Sequence, residues 1–218
     1  MTKSKYTEKD FRRIGWDEYG ELMEKILKEL QDYISRNNIK IDAVVPILRG
    51  GATLGNFLAY KLGIIRILPV QYKYFFTGRG KAELRQLLFT PNSKVIGENP
   101  TFLLVEGDQC FGNTVIHAAK DLKTEFPGCN IIHVADILDY SYRDSAKEYV
   151  NESFYGKYTN HCEELSDEEC KKLGIEGATI APWENFKEEI AIMEGKEFEY
   201  MDGEKVRKNS KKKQDFKF

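Results

Sequence analysis

Apolar and polar positions fall into blocks along the chain, and the blocks predict helix, strand and turn in a repeating order. Over residues 16–34 the apolar positions Trp16, Tyr19, Met23, Ile26, Leu27, Leu30, Tyr33 and Ile34 recur at helical spacing, with Glu21–Lys25 and Glu24–Lys28 at i,i+4 between them. This pattern predicts an amphipathic helix with one buried stripe, ended by Asn37-Asn38. Residues 41–48 and 102–105 are uninterrupted apolar runs, which fit strands covered on both faces, as in a parallel sheet. Between them, 52–62 predicts a helix stopped by Gly63, and 64–72 a third strand. Residues 114–126 predict a helix broken by Pro127-Gly128, and 130–138 a further strand. A helix followed by β-α-β-loop-β-α-β predicts an α/β fold with a doubly wound parallel sheet.

Four regions flank or make up this pattern. Residues 1–14 are polar and basic, a loosely held arm; 15–140 form the α/β core; 141–195 turn polar, aromatic and acidic, a C-terminal hood; 196–218 are a basic tail. Within the last two, 178–182 predicts a strand-like piece leading into Trp183, 186–193 a short helix, and Glu163 to Glu169 a solvated face or helix start. Inside the core, 73–100 is long for a loop and carries Arg79, Lys81 and Arg85 near Gly78 and Gly80. Such a segment suits a lid closing on an anion, the alternative being a solvated hairpin.

Two strands end in glycine turns that feed helices: Arg49-Gly50-Gly51 and Glu106-Gly107-Asp108-Gln109-Cys110-Phe111-Gly112-Asn113-Thr114. Turns of this kind aim backbone N–H groups and a helix dipole at one spot, which favours an anion, most often phosphate. The acidic residues beside the second turn suit a bound cation or sugar hydroxyls. In a doubly wound sheet ligands sit at the carboxyl ends of the strands, so the two turns converge on one ligand.

Composition narrows the partners. With 33 basic against 35 acidic residues, no global field recruits nucleic acid or a membrane surface. The lysine-rich tail reads as a solvated tail rather than a nucleic-acid site. No apolar run approaches the ~20 residues of a membrane span. Cys110, Cys129, Cys162 and Cys170 contain no CxxC pair, which predicts free thiols in a reducing, cytoplasmic compartment. A zinc site from His161, Cys162 and Cys170 lacks a fourth ligand at sensible spacing. His117 and His133, inside a helix and a strand, read as structural. Residues 107–114 nearly fit the P-loop pattern, with Asn113 in place of its lysine. A degenerate P-loop is the third functional reading, and it leaves Arg49 without a role.

The arrangement resembles the type I phosphoribosyltransferases over roughly residues 14 to 186. Leu103, Leu104, Val105, Glu106, Gly112 and Thr114 match the motif that holds the ribose and 5-phosphate of phosphoribosyl pyrophosphate (PRPP). Arg49-Gly50-Gly51 resembles the pyrophosphate loop, which in the family often carries a cis peptide. Trp16 and Pro182-Trp183-Glu184 look most like the xanthine and hypoxanthine branch.

The resemblance implies a Mg2+-dependent transferase of nucleotide metabolism and purine salvage, a homo-oligomer passing phosphoribose to a nucleobase-like acceptor and releasing pyrophosphate. It implies Arg49, Gly50 and Gly51 on pyrophosphate, with Arg79, Lys81 and Arg85 closing over it. Glu106 and Asp108 would serve the ribose and metal, with Asp108 the candidate base. Gly107, Gln109, Cys110, Phe111, Gly112, Asn113 and Thr114 would complete the PRPP turn, and Tyr140 and Trp183 the base pocket, unless Trp183 only packs domains together. Several positions depart from the family. Gly107 stands for its second acidic residue, Cys110 for the acid beside a purine N7, Phe111 for a threonine and Ala178 for an aromatic, and 137–140 lacks the base-reading lysine. A non-catalytic PRPP or nucleotide sensor of the same fold is therefore the second reading.

Overall fold

In chain order the elements are β1 (Arg12–Arg13), α1 (Trp16–Asn37), β2 (Ala43–Leu48), α2 (Ala52–Leu62), β3 (Val70–Gly78), β4 (Lys81–Phe89), α3 (Ser93–Ile96), β5 (Thr101–Gln109), α4 (Asn113–Glu125), β6 (Asn130–Asp139), β7 (Glu152–Thr159), α5 (Asp167–Leu173), β8 (Thr179–Ile180) and α6 (Phe186–Met193). They come from a computed structural model of the chain that describes residues 6–78 and 81–193. A six-stranded sheet of order β4-β3-β2-β5-β6-β7 forms the centre. All neighbours pair in parallel except β3 and β4, an antiparallel hairpin at one edge. The α/β doubly wound reading of the sequence therefore holds.

The continuous apolar runs are explained by two cores. On one face Leu103 and Val105 pack with Ile26 and Leu30 of α1 and Leu54 and Leu58 of α2. On the other, Phe102 and Leu104 pack with Val115, Ala119 and Leu122 of α4. Covering both faces of β5 makes every residue from Phe102 to Val105 fully buried, each worth about 1.5–3 kcal/mol. Asn38, in the left-handed region, ends α1 by donating to the carbonyls of Ile34 and Ser35. Among the described residues no helix is long and apolar enough to cross a membrane.

Several expectations change. Residues 1–14 are not a loose arm throughout: Arg12 and Arg13 pair with Thr179 and Ile180 in a small parallel sheet, and Phe11 and Ile14 are buried. The third strand begins at Val70, not at 64, because 64–69 touches β2 only through a bridge between Val44 and Ile67. Most of 73–100 is regular: β3 and β4 run as a hairpin and α3 follows, so the hairpin alternative describes it better than an open lid. Residues 141–195 are not all hood, since β7 joins the main sheet beside β6. On α1, Trp16 is 61% exposed rather than part of the buried stripe. Glu24 pairs with Lys61 and Lys25 donates to the Gly156 carbonyl, instead of i,i+4 partners. The tail 196–218 lies outside the described residues.

Candidate functional site

The chemistry gathers at the carboxyl edge of β2, β5 and β6. Here the sequence misjudged one boundary. β5 runs on to Gln109, so Glu106, Gly107, Asp108 and Gln109 lie on a strand, and only Cys110, Phe111 and Gly112 connect it to α4. Gly112 sits at φ +77°, where its place is also enforced by Ser145, whose Oγ would lie 2.2 Å from an added Cβ. A three-residue connection is too short to wrap phosphates as a P-loop does, which removes the structural basis for that reading. The first amides of α4 have no acceptor within the helix and face this turn.

The other turn lies against it. β2 ends at Leu48, the Leu48–Arg49 peptide is cis, and Gly51 caps α2. A Cβ on Gly51 would stand 2.1 Å from the Val105 carbonyl oxygen, and one on Gly107 would stand 2.7 Å from the Cα of Gly50. The 49–51 loop and the end of β5 thus meet backbone to backbone. This contact explains the glycine where the family carries its second acid: a side chain at 107 has no room. Glu106 remains, 9% exposed, its Oε1 accepting the Gly107 N–H at 3.0 Å. Burial pushes its carboxyl up to about 8, with the charge of Asp136 adding to the effect.

Arg49 and Lys73 converge on one carboxylate. Glu188 of α6 accepts from Arg49 Nη2 at 2.5 Å and from Lys73 Nζ at 2.9 Å through the same oxygen. Glu188 is 8% exposed and Arg49 is 64% exposed, so the acid on α6 is buried and the arginine reaches to it from the loop. Next to Lys73 on β3, Tyr74 hydrogen-bonds the Asn113 side chain and lies near Cys110 and Glu106. Neither Lys73, Tyr74 nor Glu188 was singled out by the sequence. The only trace was the alternation of aromatic and basic residues in Tyr72-Lys73-Tyr74.

The expected lid cations fare differently. Arg79 and the side chain of Lys81 lie outside the described residues. Arg85 is 15% exposed, paired with Glu83 at 2.6 Å and stacked on Phe75 at 4.7 Å.

Around Asp108 the environment is a mixed one. Its Oδ2 lies 3.4 Å from His161 Nδ1, and its Oδ1 is buried without a partner. The Cys110 thiol is hydrogen-bonded to the Cys162 side chain, a contact that, with burial, holds it well above the usual thiol range. Burial, then the nearby Glu184 and Glu189, pushes the Asp108 carboxyl up as well. Asp139 anchors this corner: its Oδ2 accepts the Cys162 N–H at 2.6 Å and its Oδ1 the Ser141 N–H at 3.0 Å. Gln109 donates to Ser145 Oγ at 3.4 Å, and Phe111, exposed, rests on Tyr142.

Of the two base-pocket candidates, Trp183 meets Tyr19 edge-on at 4.6 Å and Trp16 at 5.6 Å between ring centroids. Tyr140 lies against Tyr158 and under the Arg143 guanidinium at 4.4 Å. His161, whose Nδ1 is also buried and unpartnered, was visible in the sequence only as half of the His161-Cys162 pair.

The donor set bears on metal chemistry. Magnesium takes oxygen ligands and keeps much of its shell in water and substrate phosphate. Glu106, a carboxylate beside the 49–51 loop, fits that demand together with a phosphorylated substrate. Asp108 keeps company with a thiol and an imidazole, which suit a softer metal.

Comparison with known proteins agrees with this geometry at the level of the fold. No protein-family model matches the chain, and no curated protein sequence is similar to it. Among solved structures, the purine phosphoribosyltransferase of Pyrococcus horikoshii Ot3 superposes with a TM-score of 0.58 at 13% identity, over 81% of this chain and 96% of that one. The Helicobacter pylori xanthine-guanine-hypoxanthine phosphoribosyltransferase gives 0.55 at 13% identity, over 84% and 99%. A hypothetical protein from Neisseria gonorrhoeae with bound ppGpp gives 0.59 at 15% identity, over 84% and 96%. With its parallel sheet, its paired glycine turns and these neighbours, the chain has the type I phosphoribosyltransferase fold.

Proposed function

We propose that the protein is a phosphoribosyltransferase that binds PRPP with Mg2+ and passes phosphoribose to a nitrogen of a nucleobase-like acceptor, releasing pyrophosphate. The observation that carries this reading is the backbone contact between Gly50 and Gly107. It sets the 49–51 loop against the end of β5, the strand that leads into the 110–112 turn, which supports one phosphorylated sugar spanning both. Amides at the start of α4 and the Thr114 hydroxyl hold the 5-phosphate. Arg49, with its planar fork of donors, and the Gly50 and Gly51 amides hold pyrophosphate, with Lys73 adding charge. Glu106 accepts from the ribose hydroxyls and would hold Mg2+ together with the substrate's oxygens, an ion that when bound neutralises charge on the leaving group.

In the reaction the bond from the sugar's anomeric carbon to pyrophosphate oxygen breaks as the acceptor nitrogen bonds to that carbon. The nitrogen's proton passes to the Asp108–His161 pair, the acid–imidazole couple at the acceptor end. Arg49 must leave Glu188 to engage the departing anion.

The neighbour with bound ppGpp favours a second reading, a nucleotide-binding regulator on the same turns. Pyrophosphate release from PRPP with a panel of purine and pyrimidine bases separates the two. Turnover with any acceptor supports the enzyme; tight PRPP binding without release on every acceptor supports the regulator.

A further inference from the structure

Asp108, Cys110 and His161 each present one donor atom, and the three atoms lie within 4.8 Å of one another. We propose that Asp108, Cys110 and His161 form a zinc site with an open fourth position, joining the end of β5 and its turn to the loop that follows β7. The phosphoribosyl reaction proposed above uses Asp108 and His161 as a proton acceptor but has no use for the Cys110 thiol, and the site is tested by metal content.

The chemistry of the set is specific. One sulfur, one imidazole nitrogen and one carboxylate oxygen are donors that Zn2+ takes, with a water completing the four-coordinate shell. Zn–S bonds of about 2.3 Å and Zn–N or Zn–O bonds of about 2.0–2.2 Å place tetrahedral ligand atoms about 3.3–3.8 Å apart. The donors as they stand need to close by about an ångström. The same atoms show what is missing: Asp108 Oδ1 and His161 Nδ1 are buried without a hydrogen-bond partner, and buried polar groups in native proteins are nearly always paired.

The surroundings suit a dication too. Asp136, Glu184 and Glu189 all add negative charge around Asp108, a repulsion that a metal ion would relieve. Outer contacts of the kind that orient ligands are in place. Asp139 fixes the Cys162 backbone at 2.6 Å, and the ring of Phe11 lies edge-on to His161 at 6.1 Å. The sequence showed only His161, Cys162 and Cys170 as zinc candidates. The fold keeps His161 of these and replaces Cys162 and Cys170, the latter carried by α5, with Asp108 and Cys110 from β5 and its turn. Occupancy takes the Asp108–His161 pair out of proton transfer, so metal content is read first and separately from turnover.

The test uses the full chain, reduced, stripped with chelator and reloaded with Zn2+ alone or Co2+ alone. Elemental analysis after desalting is expected to give about one zinc per chain. The cobalt form is expected to show a thiolate-to-metal charge-transfer band and the visible absorption of a tetrahedral site. Cys110→Ser and His161→Gln should each weaken zinc binding at least about tenfold, and Cys170→Ser should leave it unchanged. The cobalt spectrum reads the ligands in the unaltered protein, so a variant that fails to fold does not decide the matter. Less than about a tenth of an equivalent of zinc, a cobalt spectrum without thiolate character, or zinc lost with Cys170→Ser but kept with Cys110→Ser overturns the proposal.

Discussion

Arg49 on the loop after β2 and Glu188 on α6 are joined side chain to side chain, and Lys73 shares the same carboxylate oxygen. In the proposed function these two cations serve pyrophosphate, so Glu188 occupies their donors until substrate displaces it. Exchanging the acid for an amide keeps its shape and removes the competition. Glu188→Gln is expected to tighten PRPP binding by about three- to tenfold in calorimetry, since the exposed arginine limits the pair's strength to about 1 kcal/mol. Unchanged or weaker binding contradicts the competition. Arg49→Lys is expected to bind less tightly than wild type, because an ammonium cannot reproduce the fork of donors.

Gly107 gives a prediction that runs against the family pattern. Restoring an acidic residue there should not improve the protein, because its Cβ would meet the Gly50 backbone at 2.7–2.8 Å. Gly107→Asp is expected to destabilise by about 1–3 kcal/mol, lowering Tm by roughly 2–4 °C per kcal/mol for a chain of this size. Thermal unfolding measures it. A variant as stable as wild type means the 49–51 loop and the end of β5 are not in contact.

How far the sequence could be read follows from the same residues. The apolar run Phe102–Val105 declared a buried strand because both its faces are covered. The strand's last four residues did not, since Glu106, Asp108 and Gln109 are polar and their burial comes from the 49–51 loop and the segments after β6 and β7. β7 was missed for the opposite reason. It is an edge strand, mostly half-exposed, and its mixed composition carries neither a buried run nor a clean alternation. Phe11 and Ile14 are held by a backbone pairing with β8 across more than half the chain, which no local pattern announces. In the site, the glycine turns were legible because close approach and positive φ demand glycine. Glu188 arrives through tertiary contacts and left no local mark, while Lys73 and Tyr74 left only an aromatic–basic alternation and His161 only its pairing with Cys162.

Tyr74 is the clearest of those late arrivals. Its hydroxyl bonds the Asn113 side chain at the start of α4, which orients the turn proposed to hold the 5-phosphate. Tyr74→Phe removes one hydrogen bond, about 0.5–1.5 kcal/mol. PRPP affinity is expected to fall by roughly three- to tenfold with little change in Tm. A fall in Tm with affinity intact would instead assign Tyr74 to packing.

His133 on β6 sets an acid limit on stability. Both ring nitrogens are buried without partners, and burial lowers its pKa from 6.5 to about 3. The folded ring stays neutral while the unfolded chain takes up a proton below pH 6.5. Stability from this residue is therefore complete above pH 6.5 and lost as pH falls towards 3. His133→Leu should flatten that part of the profile, losing less between pH 6.5 and 4 by on the order of 3 kcal/mol. Denaturant unfolding at several pH values shows whether the acid slope persists.

The most direct measurement is a calorimetric titration of PRPP with Mg2+ into the wild-type chain, Arg49→Ala and Thr114→Ala. One molecule gripped at both ends predicts binding at about one site per chain, weakened at least about tenfold by either substitution alone. No binding by the wild type, or loss with one substitution and none with the other, would show that the two turns do not hold the same sugar.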